Sequence, residues 1–178
     1  MTEAKEEPVL TRQNFDLPAF MGTWYEQMRS KSIKAEKEYV QENYGLNPDN
    51  SVNVLMTQVD ETNDKMSEVT GKLRMNGPNG KIKFFWFLPE ANYQVVATDY
   101  SSYALIYSET RFCCLWTFKG AWLMTRERFP SEQQVAKAYE ILLQKVPTLQ
   151  GTEFHVTRHG DDTRYLTKEE LAKKIQKN

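Results

Sequence analysis

The residues best suited to chemistry in this chain of 178 residues are two adjacent cysteines, Cys113 and Cys114, and two histidines, His155 and His159. A cysteine with a depressed thiol pKa can act as a nucleophile or a redox group. Both cysteines lie in the apolar and aromatic run RFCCLWTF, where burial would raise the thiol pKa and favours a role as small hydrophobic residues. Arg111 lies two residues before Cys113, on the same face of a strand, so a thiol-dependent isomerase or redox enzyme using either cysteine stays the alternative function.

The two histidines are four residues apart in a segment that has the pattern of a strand and a loop. Zinc needs further ligands, and none cluster nearby, so we expect solvated or locally hydrogen-bonded histidines and predict no metal site. The sequence also lacks a Gly-x-Ser-x-Gly elbow, a phosphate-binding glycine loop and a Cys-x-x-Cys pair. We therefore predict that the protein is not an enzyme, and we expect no cofactor.

Charge and composition narrow the classes of partner. The 23 basic and 24 acidic residues give a net charge of -1, so nucleic acid is not expected as a partner. No stretch approaches the roughly 20 apolar residues of a membrane span. The N-terminal sequence MTEAKEEPVLTRQ has no apolar core of a signal peptide, no glycosylation sequon occurs, and adjacent cysteines do not make a disulfide framework. We expect a reducing compartment, with a cytoplasmic location favoured over secretion.

The middle of the chain has the pattern of an antiparallel sheet. From Gly22 to about Glu127, eight candidate strands are separated by turn sequences such as NPDN, ETNDK and NGPNG, which is typical of an up-and-down meander. Closing the sheet into a barrel removes its unpaired edges. The segment PSEQQVAKAYEILLQKV then begins with a capping box, Ser131 with Gln134, and predicts an amphipathic helix. The predicted fold is a mainly β, eight-stranded antiparallel up-and-down β-barrel with a C-terminal α-helix packed outside.

The remaining segments complete the predicted organisation. TEFHVT is a candidate ninth strand, and a second capping box, Thr167 with Glu170, predicts a short terminal helix. We expect a mobile N-terminal segment over residues 1–13, one barrel-plus-helix domain over 14–158, and a C-terminal tail over 159–178. Eight strands leave an interior just wide enough for side chains or for one small ligand.

The run FFWFLPE, residues 84–90, is unusually apolar. We assign KIKFFWFL to one strand, but a strand alternates its faces, so these side chains cannot all point into a narrow interior. They either lie beneath the helix or form an exposed apolar lip. In the second case Trp86, Phe87 and Leu88 would make transient contact with a membrane or another lipid surface.

Three ordered motifs carry a family resemblance. NFDLPAFMGTWYEQM, residues 14–28, resembles the first signature of the lipocalins. ATDYSSYALIYS, residues 97–108, looks like the second signature, and AWLMTRE carries Arg126 where the third has an arginine. The resemblance covers residues 14 to about 158. Within the family, residues 83–108 are most similar to the apolipoprotein D group, which has bacterial relatives.

The resemblance implies a structural floor and a ligand cup. Trp24 would close one end of the barrel, Arg126 would lie across its ring as a cation–π partner, and Gly22 would let the preceding turn pass close by. The implied ligand-binding residues are Tyr44, Met56, Phe85, Phe87, Tyr93, Val95, Ala104, Ile106, Trp122 and Met124. The alternative for each is a packed side chain in a filled barrel. The implied function is to carry a small hydrophobic ligand, with fatty acids or lysolipids first and retinoids, sterols or bilins next, as a monomer or weak dimer.

Overall fold

The computed structural model of the protein describes residues 9–34, 37–85, 87, 89–112 and 116–175. Its strands are β1 Gly22–Ser30, β2 Glu38–Leu46, β3 Ser51–Asp60, β4 Lys65–Asn76, β5 Asn79–Lys83, β6 Ala91–Thr98, β7 Tyr103–Phe112, β8 Trp116–Thr125 and β9 Phe154–Val156. Its helices are α1 Leu17–Phe20, α2 Glu132–Lys145 and α3 Lys168–Ile175, and single 3₁₀ turns cover Pro147–Leu149 and Asp162–Arg164. Strands dominate, as the sequence predicts.

The sheet closes on itself. Each strand from β1 to β8 pairs antiparallel with its neighbour in sequence, and β1 also pairs with β8. Trp24 lies opposite Glu42 across β1 and β2, and Tyr25 lies opposite Thr125 across β1 and β8. This confirms the eight-stranded up-and-down barrel. The predicted ninth strand is also present, because β9 pairs with the last residues of β1, beyond the point where β1 pairs with β2.

The antiparallel order gives the barrel two different ends. One end carries α1 and the connections that follow β2, β4 and β6, and we call it the floor. The opposite end carries the connections that follow β1, β3, β5 and β7, and we call it the rim. Of the predicted mobile segment 1–13, residues 1–8 lie outside the described residues. Within the described part, Leu10 packs against the interior of the barrel at the floor.

Alternation along the strands produces two separate apolar cores. Side chains that point inward form the inner core, which comprises Phe20, Trp24, Tyr44, Val52, Val54, Leu73, Ile82, Tyr93, Val95, Ala104, Ile106 and Met124. Side chains that point outward from β6, β7 and β8 meet α2 and form the outer core, which comprises Ala97, Leu105, Tyr107, Ala121, Leu123, Ala138, Ile141, Leu142, Val146 and Leu149.

Helix α2 forms where its capping residues predict. The Ser131 hydroxyl accepts from the Gln134 amide at 3.2 Å, and the Gln134 side chain accepts from the Ser131 amide at 2.8 Å. These two bonds satisfy amide groups that a helix start leaves without partners. The helix ends at Lys145, two residues before Pro147, whose missing amide cannot continue it. Its packing against the outside of the barrel confirms the predicted helix position.

The C-terminal tail lies on the outer face of β2 and β3. The predicted capping box starts α3, since the Glu170 carboxylate accepts from the Thr167 amide at 2.8 Å. Leu171 is buried, and Ile175 approaches Gly45 so closely that a Cβ on this glycine would lie 2.7 Å from the isoleucine side chain. None of the helices in the described ranges is long and apolar enough to cross a membrane.

Candidate functional site

The floor is built around Trp24, which is fully buried. Its indole nitrogen donates to the Phe20 carbonyl at 2.9 Å, so the buried polar atom of the ring is satisfied. The guanidinium carbon of Arg126 lies 3.6 Å from the centre of the Trp24 rings. This stacking is the cation–π arrangement that the sequence motif implies.

Arg126 also ties three segments of the floor together. Its guanidinium donates to the carbonyl of Thr23 at 2.8 Å, of Ala19 at 3.0 Å and of Tyr100 at 3.0 Å. Gly22 stands where the chain leaves α1 for β1 and has a φ of +94°, a conformation that side chains with a Cβ rarely adopt. The floor is therefore a rigid structural element, with its hydrogen bonds directed at backbone carbonyls.

The apolar wall above the floor contains most of the predicted ligand residues. Strand register places Ile106 opposite both Val95 and Trp122, and Ala104 opposite Met124. Val95, Ala104, Ile106 and Met124 are buried members of the inner core, and Trp122 packs against it while keeping part of its surface exposed. Met56 is buried on the inward face of β3, two residues from Val54. The ligand role of these residues stays a prediction.

A polar layer crosses this apolar interior. The hydroxyl groups of Tyr44 on β2 and Tyr93 on β6 are hydrogen-bonded at 2.9 Å. The Tyr44 hydroxyl also donates to a carboxylate oxygen of Glu42, which lies on the same face of β2. Phe20 from the floor packs edge-on against the Tyr44 ring, with the ring centres 5.4 Å apart. The interior thus contains a chain of three hydrogen-bonded polar groups. Two of them, Tyr44 and Tyr93, are among the ligand-binding residues that the family resemblance implies.

Glu42 titrates far from its ordinary range. Its pKa is raised from 4.5 to about 7: burial raises it most, the hydrogen bond from Tyr44 lowers it, and the negative charge of Glu26 raises it. Burial and the Glu42 carboxylate together raise the pKa values of Tyr44 and Tyr93 well above that of a free tyrosine. Both tyrosines therefore remain protonated, while Glu42 changes its charge near neutral pH.

A second buried polar group lies where β9 joins β1. Arg29 forms an ion pair with the Glu26 carboxylate at 2.6 Å and donates to the Thr157 hydroxyl at 3.1 Å. The Thr157 hydroxyl donates to the same oxygen of Glu26. The other oxygen, Oε2, is buried and has no hydrogen-bond partner among the described residues. Glu26 is completely buried, so its ion pair with Arg29 lies within the wall of the barrel.

Sequence reasoning missed Glu26, Arg29 and Glu42. Strand alternation could have predicted two of these positions. Glu26 follows Trp24 by two residues and Glu42 precedes Tyr44 by two, so each side chain points to the inward face. Arg29 breaks that alternation. A bulge between Glu26 and Met28 shifts the register of β1 against β8 and brings Arg29 opposite the inward residue Trp122.

Phe85 and Phe87, also predicted to bind ligand, lie at the rim rather than on the inner wall. The strand prediction for KIKFFWFL is wrong at Phe84, Phe85 and Phe87, since β5 ends at Lys83; five large apolar residues in a row cannot satisfy an alternating strand. Phe85 and Phe87 are 44% and 63% exposed, and their rings stack with centres 5.5 Å apart. Of the predicted lip, Trp86 and Leu88 lie outside the described residues.

The remaining chemical candidates have structural partners or cannot be placed. His155 forms a hydrogen bond with Glu38 at 2.7 Å, and His159 forms one with Tyr165 at 2.8 Å. Burial lowers the pKa of His159. No cluster of metal-binding side chains occurs in the part of the chain that the structure describes. The two cysteines, residues 113 and 114, lie outside that part.

Comparisons with known proteins agree with this architecture. A family model described as a lipocalin-like domain matches residues 15–145. Apolipoprotein D of Macaca fascicularis is 34% identical over 125 residues, which cover 68% of this chain and 66% of the relative. Apolipoprotein D of Bos taurus is 33% identical over 135 residues, which cover 74% of this chain and 71% of the relative.

Solved structures share the fold at lower identity. Apocrustacyanin A1 from lobster superposes with a TM-score of 0.69 and 17% identity, over 89% of this chain and 94% of that chain. Insecticyanin from the tobacco hornworm Manduca sexta superposes with a TM-score of 0.71 and 16% identity, over 92% of this chain and 89% of that chain. These structures share the fold, and the family model together with the apolipoprotein D similarities establishes that this chain belongs to the lipocalin-like family, whose members bind small hydrophobic ligands.

Proposed function

We propose that this protein binds and carries a small hydrophobic molecule inside the barrel. The observation that carries the proposal is a sealed floor beneath an inward wall in which apolar side chains surround the hydrogen-bonded layer of Glu42, Tyr44 and Tyr93. Concave apolar sites with a few convergent polar groups are typical of small-molecule binding. Affinity would come mainly from apolar area removed from water, about 25 cal/mol per Å² before ordering costs.

The proposed ligand class is argued from the number of strands in the barrel. An eight-stranded barrel holds one small ligand, which favours a single acyl chain, as in a fatty acid or lysolipid, or a compact molecule such as a retinoid, sterol or bilin. Each of these stays a prediction, as does the monomeric or weakly dimeric state. The interior of the barrel supports the apolar body of the ligand, and the polar layer would decide between head groups.

Native mass spectrometry of the purified protein, followed by extraction of bound material, tests the proposal directly. We also expect saturable one-to-one binding of N-phenyl-1-naphthylamine, an uncharged apolar dye that fluoresces when it leaves water. An Ile106→Trp variant, which narrows the interior, should weaken dye binding by about tenfold, equal to about 1.4 kcal/mol.

The matched control for this variant is Glu109→Trp, on the outward face of the same strand β7. It should bind the dye as the unmodified protein does, and circular dichroism should show that both variants keep the barrel. No co-purified molecule together with no saturable dye binding would contradict the proposed function. An equal loss of dye binding in both variants would indicate that the dye binds outside the barrel.

The rim supports contact with a lipid surface as a way of loading the ligand. Phe84, Phe85, Phe87 and Trp116 are all exposed at this end, and exposed apolar clusters of this kind are typical of interaction sites. We expect Phe87→Ser to reduce partitioning onto phosphatidylcholine vesicles about threefold. Phe129→Ser is the control, since Phe129 is 62% exposed but lies between β8 and α2. Equal partitioning of the two variants would contradict the rim contact.

The thiol-dependent alternative has less support than the carrier function. It rests on two cysteines that lie outside the described residues, and none of the relatives or structures named above is described as an isomerase or a redox enzyme. That the protein is not itself an enzyme stays a prediction.

A further inference from the structure

The interior of the barrel holds more charge than an apolar carrier requires. Glu26, Arg29 and Glu42 are all at least nine-tenths buried. Arg29 is engaged with Glu26 and Thr157, so its charge is directed at Glu26. Among the described residues, the side chain of Glu42 receives a hydrogen bond from the Tyr44 hydroxyl and forms no ion pair. A ligand head beside Glu42 therefore meets a carboxyl group that no neighbouring cation offsets among the contacts of the described residues.

The hydrogen bonds that Tyr93, at the end of the chain, can offer to a ligand depend on whether Glu42 is protonated. When Glu42 is ionised, Tyr44 must donate to it, Tyr93 donates to Tyr44, and the free lone pairs of Tyr93 can accept a bond from the ligand. When Glu42 is protonated it can donate to Tyr44, which then donates to Tyr93 and leaves the Tyr93 hydrogen available for the ligand. The end of the chain is thus an acceptor in one state and a donor in the other.

An uncharged hydroxyl head group suits both states, whereas a carboxylate or an ammonium suits one. A carboxylate accepts hydrogen bonds but cannot donate them, and an ammonium donates but cannot accept. A hydroxyl does both and carries no charge, so it avoids repulsion from an ionised Glu42 and needs no buried counter-ion. Oε2 of Glu26 adds a further buried acceptor without a partner among the described residues, which again disfavours a second anion in this interior.

We propose that the barrel selects an apolar molecule with an uncharged hydroxyl head over the carboxylate of the same chain, with Tyr93 and Glu42 as the groups that discriminate. This inference rests on the proposed function, because it assumes that the barrel interior is the ligand site. It reorders the expected ligands by placing fatty alcohols, monoacylglycerols, sterols and retinol ahead of fatty acids and bilins.

The selection should also depend on pH. Glu42 is hydrogen-bonded to Tyr44 on its own strand, and Tyr44 is hydrogen-bonded to Tyr93 on β6. The uncharged Trp24 of β1 and Met56 of β3 lie opposite Glu42, and the negative charge of Glu26 on β1 also acts on it. Both tyrosines stay protonated, so Glu42 is the member of this hydrogen-bond chain whose charge changes near neutral pH. Acidification from pH 8 to pH 6 should therefore improve carboxylate binding and leave alcohol binding unchanged.

The test compares three ligands that share a twelve-carbon alkyl chain and differ in the head group. 1-Dodecanol, dodecanoic acid and dodecylamine, each below its solubility and micelle limits, compete with bound N-phenyl-1-naphthylamine at pH 8. We expect dodecanol to displace the dye at about one tenth of the concentration that dodecanoate needs. Glu42→Gln should close most of this gap by improving dodecanoate, because the amide keeps a hydrogen-bonding side chain without the charge. Glu140→Gln, an exposed carboxylate on α2, should leave the gap unchanged.

The outcomes separate the two proposals. Dye that does not bind at all contradicts the proposed function. Dye that binds but is displaced equally well by dodecanoate and dodecanol overturns the head-group selection and leaves the carrier function intact. Displacement by dodecylamine at lower concentration than dodecanol would also overturn it, by assigning the site to a cationic head. If the dye binds but none of the three alkyl ligands displaces it, the head-group selection is also overturned.

Discussion

The inner and outer cores share strands β6, β7 and β8 but differ in chemistry. Beneath α2, the outer core consists of aliphatic residues such as Leu105, Leu123 and Leu142, with Tyr107 at its edge. The inner core includes the hydrogen-bonded tyrosines and lies against buried Glu42. Burying a carboxylate costs free energy unless it is paired or protonated. The outer core is thus an apolar packing surface, whereas the inner core contains polar groups whose burial costs stability, as the proposed binding function would require.

The largest expected effect on stability comes from a substitution in the outer core. Leu142→Ala removes a side chain that is fully buried between α2 and the barrel, and it should lower the free energy of unfolding by about 2–5 kcal/mol. Urea unfolding followed by circular dichroism measures this loss. Gln144→Ala, exposed on the same helix, should change stability by less than about 0.5 kcal/mol. If the folded Leu142→Ala variant also lost its selection between dodecanol and dodecanoate, the two cores would not be independent.

The second prediction removes the charge from the inner core. Since the folded protein raises the pKa of Glu42 from 4.5 to about 7, its contribution to stability is fully present below pH 4.5 and is lost as the pH rises through 7. Glu42→Gln should therefore stabilise the protein at pH 8 by up to about 3 kcal/mol, at 1.36 kcal/mol per pKa unit. At pH 4.5 the change should be small.

Urea unfolding at both pH values, with Glu140→Gln as the exposed control, measures this difference. An equal effect of Glu42→Gln at the two pH values would mean that burial of the carboxylate does not distinguish the inner core from the outer one.

The third prediction concerns the floor that supports the inner core. Arg126→Lys keeps the positive charge but loses the planar fork that stacks on Trp24 and reaches three carbonyls. The free energy of unfolding should fall by about 2 kcal/mol, in keeping with lost charge-assisted hydrogen bonds. Arg74→Lys, on the exposed surface of β4, is the control. Equal unfolding midpoints for the two variants would contradict a role of the floor in stability.

The smallest effect should fall on affinity rather than stability. Tyr93→Phe removes the hydroxyl at the end of the polar chain, so dodecanol should bind about fivefold more weakly, equal to about 1 kcal/mol, while the dye binds as before. Tyr107→Phe is the matched control, because its hydroxyl bonds to Glu109 on the outward face of β7. Weaker dodecanol binding in both variants would erase the distinction between the cores.

Much of the fold could be predicted because its determinants are local. Alternating side chains and turn residues define β1 to β8, two capping boxes begin α2 and α3, and the family motifs that contain Trp24 and Arg126 imply the floor. Backbone hydrogen bonding and side-chain alternation repeat with a fixed period, so neighbouring residues carry this information. The end of β5 at Lys83 was missed because the apolar run after it carries a strong strand propensity that tertiary packing overrides.

The chemistry of the interior was decided only by the tertiary structure. The sequence by itself determined that Tyr44 and Tyr93 face inward, but not that closing the barrel would join them to Glu42. The pKa of Glu42 depends on burial by strands far apart in sequence, and the inward position of Arg29 depends on a bulge in β1. Desolvation and long-range pairing arise when distant segments exclude water together, and no short stretch of sequence encodes that event.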